Sequence, residues 1–418
     1  MNIAFLSTFE NYGGAAIAAK RLQKALLKSG ETAVMVVQEK TSADDSVYSF
    51  SITYIGKLVA KIRFALDRFL FIFSEKSKAV RFSFSAAQIG VNPNANTQIK
   101  NAEIVHLHWI NFGFISLKSI EQIKQPIVWT LHDMWAFTGG CHYSGECENF
   151  KSECGNCVPF LKNPSDSDLS NDVWLKKQAL FLHKNITFVT CSRWLADLAK
   201  SSTLLQNHKV ISIPNPIDIS LFKPNNFGKK SFNLDDNKQY ILFGAVNVAD
   251  SRKGFSYLKE ALNLLFEKIQ NQPNLPEILI FGKAEVSDFS DLKLKVNFLG
   301  QLFDQQQIIN TYNAATVFVI PSLEENLPNT IMEALACGTP VVGFEVGGIP
   351  EMLDHKKTGY LAKYKSSQDL SDGIFHVLYE ADNELIGKNC REKVVENYAE
   401  EIVAKRYQKL YESVLENQ

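Results

Sequence analysis

Short apolar, β-branched runs alternate with longer amphipathic stretches along the whole chain, and this alternation restricts the fold more than any other feature. It is the repeat of a βαβ unit, which closes into a parallel sheet covered by helices on both faces. In the first half the strand candidates are NIAFLS from Asn2, TAVMVV from Thr32, EIVHLHW from Glu103, PIVWTLHD from Pro126, TFVTCS from Thr187 and KVISIPN from Lys209. In the second half they are YILFGA from Tyr240, EILIFG from Glu277, VNFLG from Val296, VFVIPS from Val317 and PVVGF from Pro340. The stretch PNPIDISLFKPNNFGKKSFNLDDNKQ separates the two sets, has three prolines and no sustained periodicity, and reads as an interdomain linker. At 418 residues the chain has room for two large cores. The expected architecture is α/β: two doubly wound Rossmann-like domains, residues 1–216 and 217–399, with a cleft between them at the carboxyl ends of the strands.

Charge removes one class of function. The net charge of −1 gives no overall basic field for nucleic acid. Residues 1–230 nevertheless carry +8 and residues 231–418 carry −9, so the two halves face different partners and the basic one suits an anionic surface. The start MNIAFLSTFENYGG has no basic segment ahead of an apolar one, and no run of about 18 uncharged apolar residues follows. A cytoplasmic location is expected, in which the seven cysteines stay reduced.

The motifs sit where a doubly wound sheet binds ligands. After the first strand, Gly13 and Gly14 open a helix, where a backbone approaches a ligand closely and free N–H groups favour phosphate. A plain tight turn explains the pair more readily when it is taken alone, and the pattern is not GxGxxG with an acidic partner, which argues against a dinucleotide oxidoreductase. The strongest stretch is PSLEENLPNTIMEALACGTPVVGFEVGGIPEML. There Glu324 and Glu325 lie on a loop, and Glu333 lies in a helix beginning near Asn329 that stops at Cys337-Gly338. A carboxylate accepts two hydroxyl hydrogen bonds from a vicinal diol, and the adjacent amides can hold phosphate oxygens, so the stretch can grip both ends of a nucleotide sugar. Glu333 taken alone is also what a helix dipole favours in a first turn.

On these residues the chain resembles the family 4 glycosyltransferases, retaining enzymes of the GT-B fold that include enzymes of exopolysaccharide and lipopolysaccharide assembly. The resemblance runs over essentially the whole chain. It implies that Glu325, with Asn326 and Leu327 beside it, touches the donor sugar, and that Glu333 holds the ribose diol. Lys253, in RKGFSYL, would neutralise the donor pyrophosphate with Arg252, and Gly13-Gly14 would approach the same phosphates. Gly347, Gly348 and Glu351 match a further loop of the donor pocket. His132, at the end of PIVWTLHD, would lie beside the reacting sugar, whereas His108 on the neighbouring strand end is as readily structural. The final run, residues 400–418, would be a helix crossing back onto the first domain. Two departures stand out: the additional arginine ahead of the lysine is missing, with Asn247 nearest, and Pro216 replaces the usual glycine in the linker turn and stiffens it.

The mechanism that follows needs no metal for catalysis. Departure of a nucleoside diphosphate builds negative charge that Lys253, Arg252 and helix N-termini can stabilise, and no DxD-type motif sits at a plausible strand end. Retention is implied by the family, through same-face attack with the departing phosphate taking the acceptor proton. No covalent nucleophile is evident, and Cys337 reads as core packing.

Two stretches stand apart. GGCHYSGECENFKSECGNC gathers Cys141, Cys147, Cys154 and Cys157, with His142 as a spare ligand. Four such thiols suit a structural zinc ion, while reversible disulfides or free thiols packing a loop are the other readings. YIGKLVAKIRFALDRFLFIFSEKSKAVRF, residues 54–82, carries a helical apolar stripe and a net charge of +5. It reads either as a helix packed on the first sheet or as one lying on an anionic membrane. The reading as a whole is a transferase moving a sugar from a UDP- or GDP-type donor to a lipid-linked or polysaccharide acceptor, peripheral on the inner face of the cytoplasmic membrane. A catalytically silent nucleotide-sugar-binding subunit is the alternative, and a sugar-nucleotide epimerase a third.

Overall fold

The computed structural model describes residues 1–248 and 250–417, with Val246 and Asn247 by their backbone alone. The additional arginine of the resembled family would fall near these positions, outside the described side chains. The chain divides into two compact units, one of Met1–Pro216 with Glu400–Gln418, the other of Ile217–Ala399.

Among the described residues the first unit holds seven strands: β1 (Asn2–Ser7), β2 (Thr32–Val37), β3 (Val47–Ser49), β4 (Ile104–Leu107), β5 (Ile127–Leu131), β6 (Ile186–Thr190) and β7 (Val210–Ser212), in the order β3-β2-β1-β4-β5-β6-β7. The neighbours pair in parallel, with Phe5 opposite Met35 on one side and opposite His106 on the other. Side chains alternate across a strand. Hence Ala4 and Leu6 enter one core with Leu107, Trp129 and Phe188, while Ile3 and Phe5 enter a second on the other face. Helix α1 (Gly14–Lys28) covers that second face with the terminal helix Glu400–Glu416, which contributes Val403, Ala404, Tyr407, Leu410 and Tyr411.

The second unit holds six strands among the described residues: β8 (Tyr240–Asn247), β9 (Glu277–Lys283), β10 (Val296–Gly300), β11 (Val317–Ile320), β12 (Val341–Phe344) and β13 (Gly359–Ala362), in the order β10-β9-β8-β11-β12-β13. All its neighbours are parallel as well. Both sheets therefore reverse winding direction next to their first strand, at β1/β4 and at β8/β11. Loops leaving the carboxyl ends of those strands diverge there and leave room for a ligand.

Part of the segment read as a linker is structural. From Ile217 it belongs to the second unit, where Phe222 is buried and Arg391 donates to the carbonyls of Ile219, Phe222 and Ala336. β3 and β13, absent from the sequence reading, both lie at sheet edges, where a strand needs only a short apolar run.

Candidate active site

In the second unit the reversal at β8/β11 brings the sequence-assigned residues together. β8 leads into a short turn, Ser251–Lys253, and β11 into the loop of Glu324 and Glu325. Lys253 Nζ forms an ion pair with Glu325 Oε1, which also accepts from Ser322 Oγ at 3.2 Å. The pair is only partly sheltered, with side chains 32% and 13% exposed. The loops are held at van der Waals range: Gly254 has φ +65°, and a Cβ there would stand 1.8 Å from the Pro321 carbonyl oxygen. Leu323 N–H donates to Arg252 O at 2.7 Å. Gly347 closes the other side, because a Cβ on it would stand 1.8 Å from Glu325 O, and Gly348 N–H donates to that oxygen at 3.2 Å. Glutamate 325 is thus pinned by its backbone while its side chain faces the lysine.

Arg252 takes a different place. Its guanidinium grips Asp250 with both Nε and Nη2, at 3.2 and 2.7 Å, and the Asp250 side chain also caps the turn by accepting from Arg252 N–H. Burial raises the Glu324 carboxyl pKa against the opposing pull of Arg252. Asn326 and Leu327 are buried at the base of the loop. Glu333 lies in the helix Asn329–Ala336, buried, and accepts from Tyr312 Oη at 3.0 Å. Cys337 is packed away behind this helix, and burial lifts its thiol to about 12. Glu351 sits in the short helix Ile349–Met352 that follows the Gly347 turn. A hollow of about 690 Å³ lined by Tyr240, Glu277 and Val296 opens at the strand beginnings, the opposite end of the sheet from this site.

In the first unit the carboxyl ends of β4 and β5 carry a histidine cluster. His108 Nδ1 and His132 Nε2 are 2.9 Å apart, and His132 Nδ1 lies 3.5 Å from Cys191 Sγ. Close packing holds the His132 pKa down to about 4, so the ring is neutral near pH 7. His108 is buried against Phe5 and pairs with His132. Its Nε2 finds no hydrogen-bond partner, and the residue is among those lining a cavity of about 10 Å³, room for about one water. Gly13, at φ +85°, begins α1 with open space around it. Its conformation suits glycine, and α1 carries no acidic residue in its first turn.

Asp133, which no sequence motif singles out, is the most heavily supported carboxylate of this cluster. Its Oδ2 accepts from Trp109 Nε1 at 3.0 Å and pairs with His142 Nδ1 at 2.7 Å, and its Oδ1 accepts from Trp135 N–H at 2.9 Å. Burial works against the carboxylate, but these contacts outweigh it and hold the pKa below the ordinary value. His142 stacks on Trp109, and its buried Nε2 has no hydrogen-bond partner. The adjacency of His132 and Asp133 was the available signal; the partner nine residues on was not.

His142 is therefore tied to Asp133 and not to the cysteines. Cys154 and Cys157 are buried and Cys141 and Cys147 half-buried, all as free thiols. They lie within electrostatic reach of one another, and burial raises Cys154 and Cys157 to about 11 each. Among the described residues no group of three or more His, Cys, Asp or Glu side chains is gathered at metal-binding distance. The loop is fastened by protein groups instead. Gly139 N–H donates to Cys154 Sγ at 3.1 Å, Asp168 accepts from Cys157 N–H at 2.8 Å, and Lys177 donates to Thr138 O at 2.9 Å from beneath the Trp135 ring. Burial lowers the Lys177 pKa to about 7.

Two doubly wound parallel domains, each with its polar cluster at the point where the winding reverses, make this a GT-B-type protein. Residues 238–380, which include Lys253, Glu325, Glu333 and Gly347 and lie within the second unit, match the family described as "Glycosyl transferases group 1". A putative colanic acid biosynthesis glycosyl transferase, WcaC of Escherichia coli K12, is 23% identical over 84% of this chain and 85% of its own length. N,N'-diacetylbacillosaminyl-diphospho-undecaprenol alpha-1,3-N-acetylgalactosaminyltransferase of Campylobacter jejuni is 30% identical over 45% of this chain and 48% of its own. With several other curated relatives the match likewise spans about half to three-fifths of their length. Among solved structures, Anabaena Alr3699/HepE in complex with UDP superposes with a TM-score of 0.64 at 15% identity, covering 99% of this chain and 100% of that one, a likeness of fold. Among the described residues no helix is long and apolar enough to cross a membrane.

Proposed function

We propose that the protein is a retaining glycosyltransferase that moves a hexosyl unit from a UDP- or GDP-type nucleotide sugar to a lipid-linked or polysaccharide acceptor in cell-surface polysaccharide synthesis, working at the cytoplasmic face of the membrane. The observation that carries the reading is the Lys253–Glu325 pair at the winding reversal of the second unit, within the stretch that matches the group 1 family. A donor exchanges into this pair. Its diphosphate oxygens take the ammonium, and the released Glu325 carboxylate accepts from hydroxyls of the sugar. As the sugar–phosphate bond breaks, negative charge grows where Lys253 already stands, so the transition state gains more than the ground state. Glu333, with Tyr312 fixing one oxygen, accepts from the ribose diol. His132, kept neutral, can donate and accept toward sugar hydroxyls. The acceptor oxygen attacks the face the phosphate leaves, and that phosphate removes its proton.

The comparisons lend support: the HepE neighbour was crystallised with UDP, WcaC is named for colanic acid synthesis, and the Campylobacter relative for a lipid-linked sugar. Thermal shift with a panel of nucleotide sugars and nucleoside diphosphates identifies the donor, since a ligand well above its dissociation constant raises apparent stability. Stabilisation by one donor, lost in Lys253→Ala and Glu325→Ala together with sugar transfer, is the expected result. Binding without turnover would leave a silent binding subunit, and no response to any nucleotide sugar would remove the reading. A zinc ion drawing Cys141, Cys147, Cys154 and Cys157 together remains a separate proposal: elemental analysis should find about one zinc per chain, and a metal-free preparation of equal stability removes it.

A further inference from the structure

Helix α2 (Tyr54–Ile72), capped by the Thr53 side chain, is mounted inside out. Ile55, Leu58, Ile62, Leu66, Phe69 and Phe73 recur at spacings of three and four and therefore form one ridge. In a water-soluble domain such a ridge faces the core. Here its six side chains are 46% to 72% exposed, and Val59 and Leu70 widen it on the same side. The residues that α2 buries are Ala60, Asp67, Arg68 and Phe71, so the face carrying an ion pair is turned inward. The inward face is firmly held. Arg68 donates to the carbonyls of Arg81 and Phe84 at 2.8 Å each and lies over the Phe112 ring, Phe71 stacks on Phe84, and Arg63 donates to Gly113 O at 3.1 Å. Rolling the helix to hide its ridge would strip Arg68 of these acceptors within a buried site, so the ridge stays outward.

We propose that α2 is a membrane-docking element that lies in the plane of an anionic bilayer surface with this ridge among the acyl chains. The charge around the ridge selects that occupant. Both acids of residues 54–82 are spoken for, Asp67 by Arg68 and Glu75 by Arg81, while Lys61, Lys76 and Lys78 are exposed. Two copies of the chain facing one another would bring these cations together, whereas anionic headgroups oppose them favourably. The ridge spans about 27 Å along the helix axis at 1.5 Å per residue, long enough to anchor in the interface. Tyr54 and Phe82, both largely exposed, extend the apolar surface beyond it. The inference stands apart from the proposed sugar transfer and holds for any ligand of the second domain.

The test is flotation of the full chain with vesicles of phosphatidylcholine alone and with about one-third phosphatidylglycerol, at low and high salt. At least tenfold more protein should float with the anionic vesicles at low salt. Leu58→Ser/Ile62→Ser/Phe69→Ser should abolish flotation while the protein stays folded and its melting temperature changes little, because these side chains are 50%, 47% and 52% exposed in the free protein. Lys61→Gln/Lys78→Gln should reduce the preference for anionic vesicles severalfold. Equal recovery with neutral vesicles, or flotation unaffected by the triple variant, overturns the proposal. So does a wild-type dimer in light scattering that the triple variant converts to monomer while neither protein floats, which would make the ridge a contact between copies.

Discussion

The two domains share a topology and differ in what they place at its reversal point. At β8/β11 the groups are ionic and partly open to water: Lys253 with Glu325, and Arg252 with Asp250. At the ends of β4 and β5 they are neutral rings, His108 stacked on His132, with one well-supported carboxylate, Asp133, that accepts from Trp109. The difference teaches that parallel winding supplies only a location, while side chains decide the ligand. Mobile charges that can swap partners suit a diphosphate. Rings held neutral by burial suit hydroxyl groups, which need hydrogen bonds without a net field.

The sharpest break in this comparison comes from removing the cation. Lys253→Ala should lower transfer by about 10²- to 10³-fold, the usual cost of one group that stabilises transition-state charge, and should weaken donor binding as well. Single-turnover rates measured at saturating donor separate the two. A loss confined to affinity would mean that the lysine grips the donor without assisting its cleavage.

Next in size is a contrast between glycines. Gly254→Ala must either leave φ +65° or push β11 and its loop aside, at about 3 kcal/mol. Gly13→Ala, at φ +85° and ψ 158° with nothing within 4 Å, incurs backbone strain alone, about 2 kcal/mol in a region that glycine almost alone adopts. Thermal melting should therefore drop by several degrees for the first variant and by less for the second. Equal shifts would show that the close contact at Pro321 can relax.

Acid separates the domains in another way. Burial lowers His106 and His108 well below the ordinary histidine range and His132 to about 4, whereas the unfolded chain titrates near 6.5. Between those values the unfolded state binds more protons, so the stabilising effect of the neutral rings is complete above about pH 7 and is lost as pH falls toward 4. Each histidine contributes a slope of up to about 1.4 kcal/mol per pH unit within its window. All five tryptophans lie between residues 109 and 194, so their fluorescence reports the first domain alone. Urea midpoints followed this way should fall markedly from pH 7.5 to pH 5, and a flat profile would contradict the burial of these rings.

What was legible in the sequence follows from what patterns encode. The central strands announced themselves as apolar runs because both faces of a parallel sheet are covered, and the Glu325 loop was visible because its residue types are unusual together. The edge strands β3 and β13 were not, since three or four residues with one covered side leave little periodic trace. For α2 the periodicity revealed a stripe but not which way it points. Only the acceptors around Arg68, supplied by Arg81 and Phe84, decide that, and they lie 13 and 16 residues further along the chain. The Asp133–His142 pair was hidden for the same reason, because His142 stands in a run of cysteines that drew the metal reading.

The smallest effect tests whether Glu333 belongs to the ionic site or merely to the core behind it. Tyr312→Phe removes one hydrogen bond to a buried carboxylate and should cost about 1 kcal/mol of stability. Tyr411→Phe, which removes the hydroxyl bonded to His106 at 2.7 Å in the first domain, should cost about as much. If Glu333 receives the donor ribose, the first variant should also weaken nucleotide binding a few fold by calorimetry, because the carboxylate loses its orientation, while the second should leave binding unchanged. Equal affinities in both variants would assign Glu333 to packing and leave Lys253 and Glu325 to hold the donor.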